Sequence, residues 1–113
     1  MNVDGVPITA TLHDNETARD FISLLPLTLT LSDYASAEKI SDLPRRLSTK
    51  GAPAGTDAAV GDIAYYTPWG NLAVFYRASG YARGLVKLGA IASDVAVLRG
   101  PGQLTTKIEH IEG

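Results

Sequence analysis

The sequence predicts a mainly β protein: a small closed β-barrel with one principal helix and one short helical turn. Three observations point there. Several short runs alternate apolar and polar residues with the period of a strand. A single stretch carries the period of an amphipathic helix. Gly and Pro punctuate the intervals. Closing such a sheet hides strand edges that would otherwise pair with other chains.

Residues 6–12 read as the first strand, with Ile8, Ala10 and Leu12 on one parity and Thr9 and Thr11 on the other. His13-Asp14-Asn15 breaks it. Asn15 or Asp14 is a suitable N-cap, and Glu16 lies in the first turn, where the helix dipole favours negative charge. Ala18, Phe21, Ile22 and Leu25 then form one apolar stripe on a helix of about three turns. Pro26 ends it, because the residue before a proline is driven from the α region. Leu27, Leu29 and Leu31 alternate with Thr28 and Thr30, the cleanest strand in the chain.

Residues 32–50 read as a turn-rich connection, broken by Pro44 and by Ser and Asp residues. Residues 51–61, small and Gly-rich, read as a mobile loop. The segment GDIAYYTPWGNLAVFY, residues 61–76, reads as two strands joined at Thr67-Pro68-Trp69-Gly70. Pro68 presets φ for a turn, and Gly70 can adopt the left-handed conformation that closes it. Both parities of each arm are apolar or aromatic, so both faces are expected to be partly buried. Residues 77–83 read as a loop and residues 84–91 as a strand with Leu85, Val86, Leu88 and Ile91 buried. Ser93 is placed to cap a short helical turn through Leu98, which Gly100-Pro101-Gly102 ends. Residues 104–111, rich in Thr and Ile, read as the last strand.

Composition narrows the function classes. The 113 residues suit a single domain, 1–113, with one core. Net charge is −2 with no basic stripe, which argues against nucleic acid as a partner. No apolar run reaches the roughly 20 residues of a membrane span, and the start lacks the pattern of a secretory signal. Cysteine is absent, which excludes disulfides, thiolate catalysis and zinc–thiolate sites. A cytoplasmic location is the expectation.

Four pieces of the chain combine into a wider pattern: DNETARDFISLLPLTL (14–29), Glu38-Lys39-Ile40 with Leu43-Pro44, the hairpin 61–76, and GLVKLGAI (84–91). Together they resemble a family of small prokaryotic proteins with a cyclophilin-like barrel. The resemblance covers nearly the whole chain and implies that fold. Its link to true cyclophilins implies peptidyl-prolyl isomerisation as one activity, which there uses an Arg beside Gln, Trp, His and apolar walls. This chain departs from that pattern. Its only Gln is Gln103, its two histidines are His13 and His110 near the chain ends, and the isomerase residues do not map one by one.

The candidate ligand-binding residues are Glu38, Tyr66, Trp69, Asn71, Phe75 and Arg77. Trp69 at a hairpin tip would wall an apolar site; alternatively it folds over and closes the barrel end. Tyr65, Tyr66, Phe75 and Tyr76 would line a pocket, or divide between the core and a layer beneath the helix. Asn71 would hold a ligand amide or bond the turn backbone. Glu38 would act as an acid or base if buried, and otherwise is a surface carboxylate. Asp62 would satisfy backbone donors at a strand start. Arg77 and Arg83 would polarise a carbonyl, since a guanidinium keeps its proton, or would be solvated loop charges. His13 and His110 would meet if the terminal strands pair, but two histidines without a placed carboxylate make a weak metal site. No phosphate loop, nucleophile elbow or metal-ligand cluster is recognisable, and no cofactor is expected. The expected function is binding of an extended peptide or small ligand in an aromatic-lined cleft by a monomer or weak homodimer. A divergent prolyl isomerase, or another small-molecule enzyme using Arg77 or Arg83 with Glu38, is the alternative.

Overall fold

A computed structural model describes residues 1–92, 94–100 and 102–111. Among these residues, eleven strands, one α-helix and one 3-10 turn follow each other. Nine strands form one curled antiparallel sheet. They are β1 (Asn2–Val3), β2 (Val6–Pro7), β3 (Ala10–Leu12), β4 (Leu27–Tyr34), β5 (Glu38–Asp42), β7 (Asp62–Tyr66), β8 (Asn71–Phe75), β10 (Leu85–Ile91) and β11 (Leu104–Ile108). Their order is β2-β1-β11-β4-β5-β8-β7-β10-β3. The other two, β6 (Gly55–Ala58) and β9 (Ser79–Arg83), pair with each other as a separate two-stranded flap.

The barrel is not closed, contrary to the sequence expectation; the sheet curls into a half-barrel. The chain crosses the seam covalently between Ile8 and Thr9. Ile8 exchanges backbone hydrogen bonds with Met1 at one end of the sheet, and the Thr9 carbonyl accepts from Ala92 N at the other. The three-residue β3 pairs only with β10, and β2 only with β1, so no ladder joins the two ends. Shortness limits the exposed edges, and Pro7 removes a donor from one of them.

Helix α1 (Glu16–Ile22) is shorter than the three turns expected. Asn15 caps it: its side-chain oxygen accepts from Ala18 N at 2.8 Å. Phe21, 2% exposed, enters the concave core with Leu29, Leu31, Leu72 and Val74. The strand at Leu27 runs on to Tyr34, and β5 lies in the stretch expected to be turn-rich. The expected loops at 51–61 and 77–83 hold the flap strands. In both segments the strand comes from a pairing distant in sequence, which local composition does not encode. The short helical turn is Ala96–Arg99. The capping reading of Ser93 and the position of Pro101 lie outside the described residues.

The hairpin turn forms as its residues dictate. Gly70 has φ +65°, and its N–H donates to the Tyr66 carbonyl at 2.9 Å. Two outside groups brace the turn. Arg46 donates from Nη1 to the Thr67 carbonyl at 2.7 Å. Gly84, at φ +88°, lies so close to Pro68 that a Cβ there would come within 2.8 Å of the proline Cδ.

Candidate functional site

Pairing register decides which side chains share the convex face of the sheet. Directly opposed residues on antiparallel strands point the same way. Tyr34 faces Glu38, which faces Phe75; Ser32 faces Ile40, which faces Ala73; Asp42 faces Asn71, which faces Tyr66. These three rows form a continuous outer surface across β4, β5, β8 and β7. The flap covers one side of it, where Ala58, Ala64, Ala73, Phe75 and Leu85 form a second apolar cluster.

Trp69 leaves the turn and lies across the uncovered part. Its ring is 5.2 Å from Tyr34 and 5.3 Å from Tyr66, edge-to-face at 84° and 86°. An indole at those distances sits between two tyrosines that belong to different rows. The two contacts fix its orientation. It stays 51% exposed and does not close the barrel end, which corrects that alternative. Tyr34 is also exposed, so the three rings form an open aromatic strip. The small side chain of Ala73 in the middle row limits the bulk beneath it.

Two polar groups share this face. Asn71 is 3% exposed, and its side-chain oxygen is buried without a hydrogen-bond partner among the described residues. Such an orphan acceptor costs stability unless something binds it. Glu38 is half-buried, and loss of water around it pushes its carboxyl above the usual range.

The structure gathers Glu38, Tyr66, Trp69, Asn71 and Phe75 on this one face. Phe75 is buried in the cluster with the flap residue Ala58, so on this face it lies under the flap and not in the open strip. Arg77 follows β8, exposed, with its backbone N–H bonded to the Ala37 carbonyl. Arg83 is an exposed flap residue paired with Gly55. Tyr65 and Tyr76 point into the concave side: the Tyr65 hydroxyl accepts from Leu47 N at 3.1 Å, and the Tyr76 hydroxyl donates to Asp33. The layer packed on Phe75 is thus the flap and not the helix. Asp62 does satisfy a backbone donor, accepting from Ala59 N at 2.8 Å, and it also pairs with Lys87 at 3.2 Å.

Tyr34 was not anticipated. The signal was available, because Tyr34 continues the parity of Thr28, Thr30 and Ser32 on the polar face of the same strand. Lys39 is the other surprise. It is completely buried on the concave side, where its ammonium donates to the carbonyls of Gly100 and Gly102, each at 2.9 Å, and lies 3.6 Å from Asp33. It ties the loop before β11 to the barrel wall, and its burial carries no sequence signature, since lysine is seldom buried unless paired. The terminal strands do pair, through β1 and β11. Among the described residues, however, no group of three His, Asp or Glu side chains converges as a metal site. No helix among them is long and apolar enough to cross a membrane.

Neither a search of curated proteins nor a search of solved structures finds a match to the chain. The sequence model of the cyclophilin-like family does match, over residues 1–109, nearly the full length and every strand described above. The chain therefore belongs to the cyclophilin-like family.

Proposed function

We propose that the domain is a binding module that takes an extended peptide along the aromatic strip of Tyr34, Trp69 and Tyr66. One observation carries the reading: a solvent-open indole, held edge-to-face by two tyrosines, forms an exposed aromatic strip beside the flap. Rigid aromatic rings lose little conformational entropy on binding, and their flat faces suit proline or aromatic side chains. Glu38, at the edge of the strip, would favour a neutral or basic residue.

The chain's only tryptophan is the natural reporter. Titration with a panel of proline-containing and aromatic peptides should give a saturable blue shift of Trp69 emission. Tyr34→Ala should weaken it by about tenfold or more, as expected for an aromatic anchor. A panel that leaves the emission unchanged would remove the proposal. A protease-coupled assay on the same proline peptides separates binding from catalysis. Turnover above background would favour the isomerase alternative, in which Arg77 or Arg83 must reach the strip.

A further inference from the structure

The aromatic strip carries a charge pattern that narrows what it can take. Strand β5 presents Glu38, Ile40 and Asp42 on the convex face. At about 3.3 Å per residue, the two carboxylates stand roughly 13 Å apart, one on each side of Ile40. Glu38 lies directly opposite Tyr34, and Asp42 shares its row with Asn71 and Tyr66. The Trp69 indole bridges those two tyrosines, so acid flanks both ends of the open rings.

Neither carboxylate has a cation. Among the described residues Asp14, Asp20, Asp33, Asp62 and Glu109 each form an ion pair, while Glu38 and Asp42 form none. Glu38 is the more telling of the two. It is half-buried, and loss of water raises its carboxyl. A partly desolvated carboxylate gains from any cation that reaches it. The chain's own cations nearby are committed or stand off the strip. Arg46 donates to the Thr67 carbonyl at the turn. Lys39 is turned to the concave side, on Gly100 and Gly102. Arg77 follows the end of β8, beyond the row of Tyr34 and Glu38. An exposed indole beside an unpaired acid is left open. A guanidinium suits both groups, because its flat face stacks on an aromatic ring while its edge donates to a carboxylate. A primary ammonium is more strongly hydrated and lacks the planar fork.

We infer that the strip selects arginine in the peptide it binds, with the guanidinium stacked on Trp69 and Tyr34 and donating to the Glu38 carboxylate. Asp42, more exposed, adds a weaker attraction at the Tyr66 end. The inference rests on the peptide-binding reading of the same strip and names the residue recognised there.

Fluorescence anisotropy on the full chain tests it, with a dye-labelled Gly/Ser/Pro peptide carrying one central arginine. Matched peptides carry citrulline, lysine or glutamate at that position. Citrulline keeps the planar shape and removes the charge. The arginine peptide should bind about tenfold more tightly than the citrulline one, with lysine between them and glutamate weakest. Glu38→Gln should erase most of that preference and leave citrulline binding unchanged. Asp57→Asn, on the flap and off the strip, removes the same charge and should leave the preference intact. Equal affinity for arginine and citrulline would overturn the inference while the peptide reading stands. An undiminished preference in Glu38→Gln, or an equal loss in Asp57→Asn, would overturn it too. Absence of saturable binding by every peptide would remove the peptide reading and this inference together.

Discussion

Phe21→Ala is the sharpest test of how the helix contributes to this fold. Phe21 sits mid-stripe on α1, is 2% exposed, and belongs to the same cluster as Leu29, Leu31, Leu72 and Val74. Returning a phenylalanine side chain to water costs about 1.5–3 kcal/mol by transfer alone. The cavity left behind adds to that, giving roughly 3–5 kcal/mol for a buried Phe→Ala. Phe21 also lines the open trough between α1, β3 and the residues after β11, so neighbouring side chains can relax into part of the space, which places the loss near about 3 kcal/mol. Domains of this size are stable by about 5–15 kcal/mol. At about 4 °C per kcal/mol for a chain near 100 residues, the melting temperature should fall by about 12 °C. Arg19→Ala is the control. Its ion pair with Asp14 is exposed on both sides, and such pairs contribute at most about 1 kcal/mol. Urea melts followed by circular dichroism should show a large shift for Phe21→Ala and a small one for Arg19→Ala. Equal, small shifts would mean that α1 is not integral to the core, and the packing argument would be wrong.

Other outcomes follow from the same contacts. Asp20 is held at about 2, chiefly by the Arg45 guanidinium and also by Ser48 N–H. A depressed carboxyl stabilises above its unfolded value near 3.8 and loses that contribution as pH falls toward about 2. Asp20→Asn should therefore destabilise at pH 7, with the gap to wild type narrowing between about pH 4 and pH 2 in thermal melts. Glu38 has the opposite sign: burial raises its pKa, so the folded state binds the proton more tightly and stability falls as pH rises past the unfolded value. Glu38→Gln should raise the melting temperature at pH 7 and leave it unchanged near pH 3. Lys39→Ala removes the donor to Gly100 and Gly102 and leaves Asp33 without its cation, at a cost of about 3 kcal/mol. Hydrogen exchange should then speed up in 96–104 before other segments, and uniform protection would count against that role for Lys39.

Local pattern was enough for the elements that carry their own signal. The Leu/Thr alternation of β4, the cap at Asn15 (one of the two residues expected there), the burial of Phe21 on the helix and the turn at Gly70 are consequences of side-chain period or of one residue's backbone preference and formed as expected, although the helix stops at Ile22, a turn short of Leu25. Strands β5, β6 and β9 were not legible, because Glu38–Asp42, Gly55–Ala58 and Ser79–Arg83 have weak strand character of their own. β6 and β9 become strands by pairing with each other across the intervening hairpin, and β5 by pairing with the adjacent β4 on one side and the distant β8 on the other. The candidate site divides in the same way. Trp69, Tyr66 and Asn71 announce themselves by clustering around one turn. That they share a face with Tyr34 and Glu38 depends on the register of β4, β5 and β8. Barrel closure was decided between two strands that are near neighbours in sequence, β2 and β3, at the opposite edges of the sheet. It required a ladder between the two ends of the sheet, and the brevity of β2 and β3, with the chain crossing at Ile8–Thr9, left that ladder unformed. Sequence by itself determined which segments had an apolar face to bury, because that is a matter of period. Tertiary structure alone determined which faces met and where a seam remained, because pairing energy is shared between residues that no local pattern connects.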